Sequence, residues 1–193
     1  IHDRSSAGKG GDDYDFVLDD VKVMKQFIDT YKVTGNIVVQ GNSRGTFACN
    51  TIIKALAGQN YSPKEQVTNN TNVPSGAVKD RKLDKSVYNF TVDTYICQNG
   101  NFGRAFFEED DWNAVAGTGM KAWIFDGEQD TNNIEHYKIY QDVLASKGYS
   151  AEWIAENVRL TGYTSDLYAY WGESDHSTTR INGWYFDDAA YYG

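Results

Sequence analysis

Long apolar runs are missing from this sequence. No stretch approaches the ~18 uninterrupted apolar residues of a membrane span, which excludes a transmembrane helix. Basic charge is also in deficit. Lys and Arg number 18 against 27 Asp and Glu, a net charge of −9. A nucleic-acid partner calls for a basic patch, and none is visible. The acid is scattered through DDYDFVLDD, FFEEDDW and YFDD, as on a solvated surface. No spaced ligand loop makes any of it a calcium site.

Cysteine is scarce. Cys49 and Cys97 are the only two, too few for a disulfide framework, and neither lies in a Cys-x-x-Cys pair that would favour a metal. Both have apolar surroundings, so buried free thiols are expected. A bond between them requires the helix holding Cys49 to pass the strand end holding Cys97. The opening IHDRSSAGKGG has no initiating Met and no apolar signal-peptide core. Either processing removes something or the chain belongs to a longer one. Its GKGG reads as a flexible turn, because no Lys-Ser/Thr pair follows at phosphate-loop spacing.

What is present is ordinary in quantity and informative in order. The 193 residues suffice for one hydrophobic core and do not demand two domains. A single domain over 1–193 is expected. Hydrophobic residues make up 40%, charged residues 23% and aromatics 15%. DDYDFVLDDVKVMKQFIDTY (12–31) carries Phe16, Val17, Val21, Met24, Phe27, Ile28 and Tyr31 at helical spacing, with Asp12 and Asp13 suited to its start. NIVVQ (36–40) reads as a buried strand and TFACNTIIKALAG as a helix stopped by Gly58. Residues 59–90 are polar, hold both prolines and form a surface excursion. TVDTYICQNG (91–100) is a strand with a glycine exit. RAFFEEDDWNAVAGTG is helical at its middle and KAWIFDG (121–127) is a strand. NNIEHYKIYQDVLASKG (132–148) is an amphipathic helix ended by Gly148, and DLYAYWG (166–172) a last strand. STTRINGWYFDDAAYY closes the chain as a helix, which Gly183 weakens. Strands alternating with helices predict an α/β fold with a mostly parallel sheet flanked by helices.

Between NIVVQ and the next helix lies Gly41-Asn42-Ser43-Arg44-Gly45. A strand that turns sharply into a helix lifts one side chain clear of the sheet, and its neighbours must be small. Ser43 then stands at a helix N-terminus, where N–H groups and the helix dipole favour developing negative charge. A nucleophilic serine needs a base, and the base an orienting acid. Of the three histidines, His2 lies in the terminus and His136 inside a helix. His176 follows the last strand in YWGESDHSTTR, a polar loop suited to a catalytic imidazole. The loop after KAWIF offers Asp126, Glu128 and Asp130. Asp130 lies past Gly127, clear of the strand, and is the first choice; Asp126 caps the strand end and is the alternative. Each member of the set follows a different strand at its carboxyl end, where open α/β sheets place their sites.

The elbow Gly41–Gly45, the acid loop Gly127-Glu128-Gln129-Asp130 and the histidine loop Asp175-His176-Ser177 together resemble the α/β-hydrolase family over nearly the whole chain. The text is most similar to bacterial esterases of the polyhydroxybutyrate-depolymerase and feruloyl-esterase type, also described as prolyl-oligopeptidase-like peptidases. The resemblance implies Ser43 as nucleophile, His176 as general acid and base, and Asp130 as its carboxylate. It implies half an oxyanion hole from the Arg44 backbone. It implies no cofactor and no metal. The family has several strands before this point, and here only a short terminus precedes the helix, so the chain corresponds to the C-terminal portion of that fold.

The leading expectation is therefore a serine hydrolase acting on small or polymeric carboxylic esters. Asn101, Phe102 and Trp112 are candidates to line its pocket, each with aromatic or loop packing as its alternative role. A serine peptidase with the same triad and a non-catalytic binding protein with a reduced hydrolase fold are the alternatives. NIVVQ is apolar on both faces, as a central strand is, yet it would lie at an edge if nothing preceded it. It is expected to pair on its free side with a segment outside residues 1–193, either upstream sequence or a partner chain.

Overall fold

The computed structural model describes residues 15–43, 45–61, 81–103, 106–127 and 133–163. Asp15 starts the first helix. Its Oδ1 accepts from the Leu18 amide at 3.0 Å, satisfying a free donor of the first turn. The helix α1 runs Phe16–Tyr31 and ends with Lys32 in the left-handed region. The expected start at Asp12 and Asp13 lies outside the described residues, and the cap is Asp15. The apolar stripe is covered only at its beginning: Phe16, Val17 and Val21 are buried, while Phe27 and Tyr31 are exposed.

Strand β1 (Val38–Asn42) follows, then α2 (Gly45–Leu56), β2 (Thr94–Gln98), α3 (Glu109–Gly117), β3 (Lys121–Gly127), α4 (Ile134–Ser146), α5 (Ala151–Asn157) and β4 (Val158–Tyr163). Among the described residues the strands form one parallel sheet in the order β1-β2-β3-β4. The chain is thus α/β, as its alternating pattern predicts. The fourth described strand is an addition to the expected elements. It is VRLTGY, entered directly from α5, where no element was expected. DLYAYWG and the closing helix lie outside the described residues.

The register explains the core. Val39, Tyr95, Ala122 and Val158 form one row across the sheet, and Gly41, Cys97, Ile124 and Leu160 the next. These rows join Ile53, Leu56, Val115, Ala116, Tyr140 and Leu144 of the helices in a continuous apolar cluster. The other face is graded. Gln40 and Arg159 are exposed and Ile96 and Trp123 half-buried, whereas Gln98 and Phe125, nearer the carboxyl ends, are buried. Cys49 and Cys97 are both buried and form no disulfide.

The excursion at 59–90 is closed at its base. Tyr61 and Arg81 exchange two backbone bonds of 2.8 Å, and both side chains reach Asp15 Oδ2, at 2.8 and 3.2 Å. Lys85 donates to the Leu56 carbonyl at 2.6 Å, capping the end of α2. Residues 62–80 lie outside the described set. Lys54 and Asp111 form a largely buried ion pair at 2.9 Å that ties α2 to α3. Strand β1 has a strand neighbour on one side only among the described residues, and Val38 is 53% exposed.

Candidate active site

Strand β1 extends two residues further than its apolar letters suggest, because Gly41 and Asn42 still pair with Cys97 and Gln98. Ser43 then breaks the strand with φ of 53°. Three described non-glycine residues have positive φ: Lys32, Ser43 and Asn99. Lys32 is a helix C-cap, and Asn tolerates this region better than other side chains. Ser43 has neither reason. A serine held there costs of order 1–3 kcal/mol and persists only where the surroundings impose it.

The surroundings do impose it. The Ser43 amide donates to the Gln98 carbonyl at 2.9 Å, and its carbonyl accepts from the Thr46 amide at 3.1 Å and the Thr46 hydroxyl at 2.6 Å. Gly41 is required by space: a β-carbon there would lie 2.8 Å from the Thr46 backbone. Gly45 is different, since nothing lies within 4 Å of the position its β-carbon would take. Only the first glycine of the pentapeptide is sterically obligatory.

The segment after β2 wraps the start of α2. Its backbone is received by side chains that the sequence did not single out. The Asn101 amide donates to Thr46 Oγ1 at 2.9 Å, Asn50 Nδ2 donates to the Asn101 carbonyl at 2.7 Å, and the Gly103 amide donates to Asn50 Oδ1 at 3.2 Å. From the start of α4, Asn133 accepts from the Phe102 amide at 2.7 Å and donates to the Gly100 carbonyl at 3.1 Å. Thr46, Asn50 and Asn133 are each fully buried. The available signal was spacing: Thr46 and Asn50 are one helical turn apart in a mostly apolar helix. Tyr95 donates to the Thr46 and Asn101 carbonyls at 3.3 and 3.4 Å. Burial holds its phenol well above the ordinary value, so it stays a donor.

Asn101 thus lies beside the elbow, half-buried. Phe102 and Trp112 take the packing role that the sequence left open. Phe102 is wholly buried against Tyr95, Trp112 and Tyr140, with ring centroids 5.5–5.8 Å away. Trp112 is buried among Phe107, Tyr140 and the half-buried ring of His136. Arg44, Asp130 and His176 lie outside the described residues. The chain leaves β3 at Gly127 on its way to Asp130, and β4 at Tyr163 on its way to His176.

Two buried amide groups at this end of the sheet have no acceptor among the described residues: Asn42 Nδ2 and Gln98 Nε2. They belong to residues paired in register. Gln98 Oε1 is held by Gln40 Nε2 at 2.8 Å. The described residues contain no group of three or more His, Cys, Asp or Glu placed to hold a metal. They contain no helix long and apolar enough to cross a membrane. No family model matches the chain, and no curated protein or solved structure matches it either.

Proposed function

We propose that the chain is a serine hydrolase of the α/β-hydrolase type that cleaves carboxylic esters through an acyl-enzyme on Ser43. The observation that carries this reading is the backbone of Ser43: a non-glycine residue at φ 53°, between a strand and a helix, over a glycine that admits no β-carbon. A structural serine gains nothing from that conformation. A nucleophile gains exposure of its Oγ at the N-terminus of α2, where amides and dipole oppose the charge of an oxyanion.

In this mechanism His176 accepts the Ser43 proton as Oγ attacks the ester carbonyl. Asp130 holds the imidazole in the productive tautomer, and the Arg44 amide donates to the oxyanion. Collapse expels the alcohol, which takes the proton from His176. Water then enters, gives a proton to the same imidazole and releases the acid, restoring Ser43. A peptidase would use the same steps with an amine as leaving group. The ester reading is preferred on the resemblance, and comparing turnover of aryl esters and peptide amides separates the two. Among the described residues β1 has a strand neighbour on one side only, which supports a further strand there, from upstream sequence or a partner chain.

The test is covalent labelling by a fluorophosphonate. The wild-type chain is expected to label and the folded Ser43→Ala variant not to. Hydrolysis of p-nitrophenyl acetate should fall by about 10⁴ or more in Ser43→Ala. Unchanged turnover in that variant would remove Ser43 from the mechanism. Absence of label on the wild type would favour the non-catalytic reading.

A further inference from the structure

Thr46 stands in the first turn of α2, three residues past Ser43, and is wholly buried. Both arms of its side chain are engaged. A β-carbon on Gly100 would collide with its methyl group and its hydroxyl alike, so the bare glycine after β2 leaves the space that the threonine fills. The hydroxyl joins two segments of backbone. It accepts from the Asn101 amide at 2.9 Å and donates to the Ser43 carbonyl at 2.6 Å. An amide only donates and a carbonyl only accepts, so the single hydroxyl proton is committed to Ser43. Asn101 is anchored in turn, its carbonyl accepting from Asn50 Nδ2 at 2.7 Å.

A threonine that bonds back to a carbonyl in the preceding turn is common in helices. This carbonyl is uncommon, because it belongs to the left-handed Ser43 at φ 53°. The Ser43 amide is pinned to the Gln98 carbonyl at 2.9 Å. With the amide fixed, relaxation to a negative φ has to swing the Ser43 carbonyl and side chain together. A grip on the carbonyl is therefore a grip on the direction of the side chain. Thr46 supplies that grip twice, through its hydroxyl and through its own amide at 3.1 Å.

We infer that Thr46 is a positioning residue for the nucleophile: its hydroxyl, oriented by the Asn101 amide, holds Ser43 in the conformation that aims its side chain. The inference rests on the assignment of Ser43 given above and on no other member of the triad.

Four side chains at this position separate hydroxyl from shape. Thr and Val share a shape and differ by the hydroxyl; Ser and Ala form a smaller pair with the same difference. Thr46→Val and Thr46→Ala are expected to lower kcat for p-nitrophenyl acetate, and the rate of fluorophosphonate labelling, by about 10- to 100-fold, the scale of a small misplacement of a reacting group. Thr46→Ser is expected to stay within about threefold of wild type, although it loses the methyl group. KM should change by no more than about twofold, since a wholly buried hydroxyl touches no substrate. A merely structural threonine would give melting temperatures that fall in every variant and rates that do not follow the hydroxyl. Rates for Thr46→Ser as low as for Thr46→Ala, or wild-type rates in Thr46→Val well below its melting point, overturn the inference. Amide hydrogen exchange gives a readout independent of activity and needs only one variant that folds. Asn101 and Ser43 should lose protection in Thr46→Val and Thr46→Ala and keep it in Thr46→Ser. Retained protection of Ser43 without the hydroxyl overturns the inference whatever the kinetics. A wild type that neither labels nor hydrolyses esters refutes the assignment of Ser43 itself, before any variant is compared, and the inference falls with it.

Discussion

Gly100 and Ser43 lie so close that a β-carbon on Gly100 would stand 2.8 Å from the Ser43 carbonyl oxygen. The glycine after β2 and the serine after β1 are thus parts of one packed turn. Gly41 meets the same turn from below, while Gly45 faces open space. Gly41→Ala and Gly100→Ala are therefore expected to cost about 1–3 kcal/mol each, the scale of overpacking. Gly45→Ala should stay within about 0.5 kcal/mol of wild type or gain slightly from helix propensity. Urea denaturation of the three variants checks the order. Equal losses at Gly41 and Gly45 would contradict the packing described.

In the proposed mechanism, Asp130 and Asp126 compete for the role beside the His176 imidazole. Asp130→Asn is expected to lower kcat by up to about 10⁴, as a wrongly held imidazole tautomer does. Asp126→Asn is expected to affect stability more than chemistry. Parallel kinetics and thermal melts decide, and the reverse pattern would exchange the two assignments.

Tyr61, Tyr95 and Tyr140 set an alkaline limit on the fold. Burial raises all three phenols above the ordinary tyrosine value, and Asp15 adds to the rise at Tyr61. The folded state keeps these protons while the unfolded chain releases them near pH ~10. Their contribution to stability is whole below that value and falls as pH climbs toward the raised folded values. At least three of the fourteen tyrosines should therefore ionise only as the fold is lost. Tyrosinate absorbance and far-ultraviolet circular dichroism, followed together above pH ~10, report this. Full ionisation with the fold intact would refute it.

The open side of β1 predicts association. Val38 is more than half exposed on a strand with unpaired backbone on one side among the described residues, a template for another strand. Val38→Lys is expected to reduce self-association in sedimentation or light scattering, and to leave fluorophosphonate labelling of Ser43 unchanged. Undiminished association would place the contact elsewhere.

The layered order was legible because strand and helix periods differ. KAWIFDG coincides with β3, the helices at 16–31 and 134–146 fall inside their expected spans, and the one at 45–56 starts a single residue ahead of its own. β1 was expected two residues early, since nothing in Gly41 and Asn42 announces that pairing continues through them. VRLTGY escaped notice because it is short, contains Gly162 and follows α5 with no turn residue between. Around Ser43, the turn between β1 and α2 was legible through its glycines and its place in the order. The bracket of Thr46, Asn50 and Asn133 was not. Polar letters in a helix read as solvated surface, and only the fold reveals that a loop's backbone lies against them. Phe102 and Trp112 were ambiguous for the converse reason: aromatic letters near a loop suit a pocket or a core equally well, and here the core took them.

The two buried thiols supply a clock that the fold did not need for its own purposes. Cys49 sits on the helix that starts at the elbow and Cys97 on the neighbouring strand, with 8% and 0% of their surfaces exposed. A thiol reagent reaches Cys97 only when that layer parts, so its rate of modification in native buffer measures how often the ground beneath Ser43 opens. Cys49 is the only other cysteine in the sequence, so a Cys49→Ala background isolates the signal of Cys97. Any substitution around the turn can thus be read for its effect on local breathing without touching the chemistry above it.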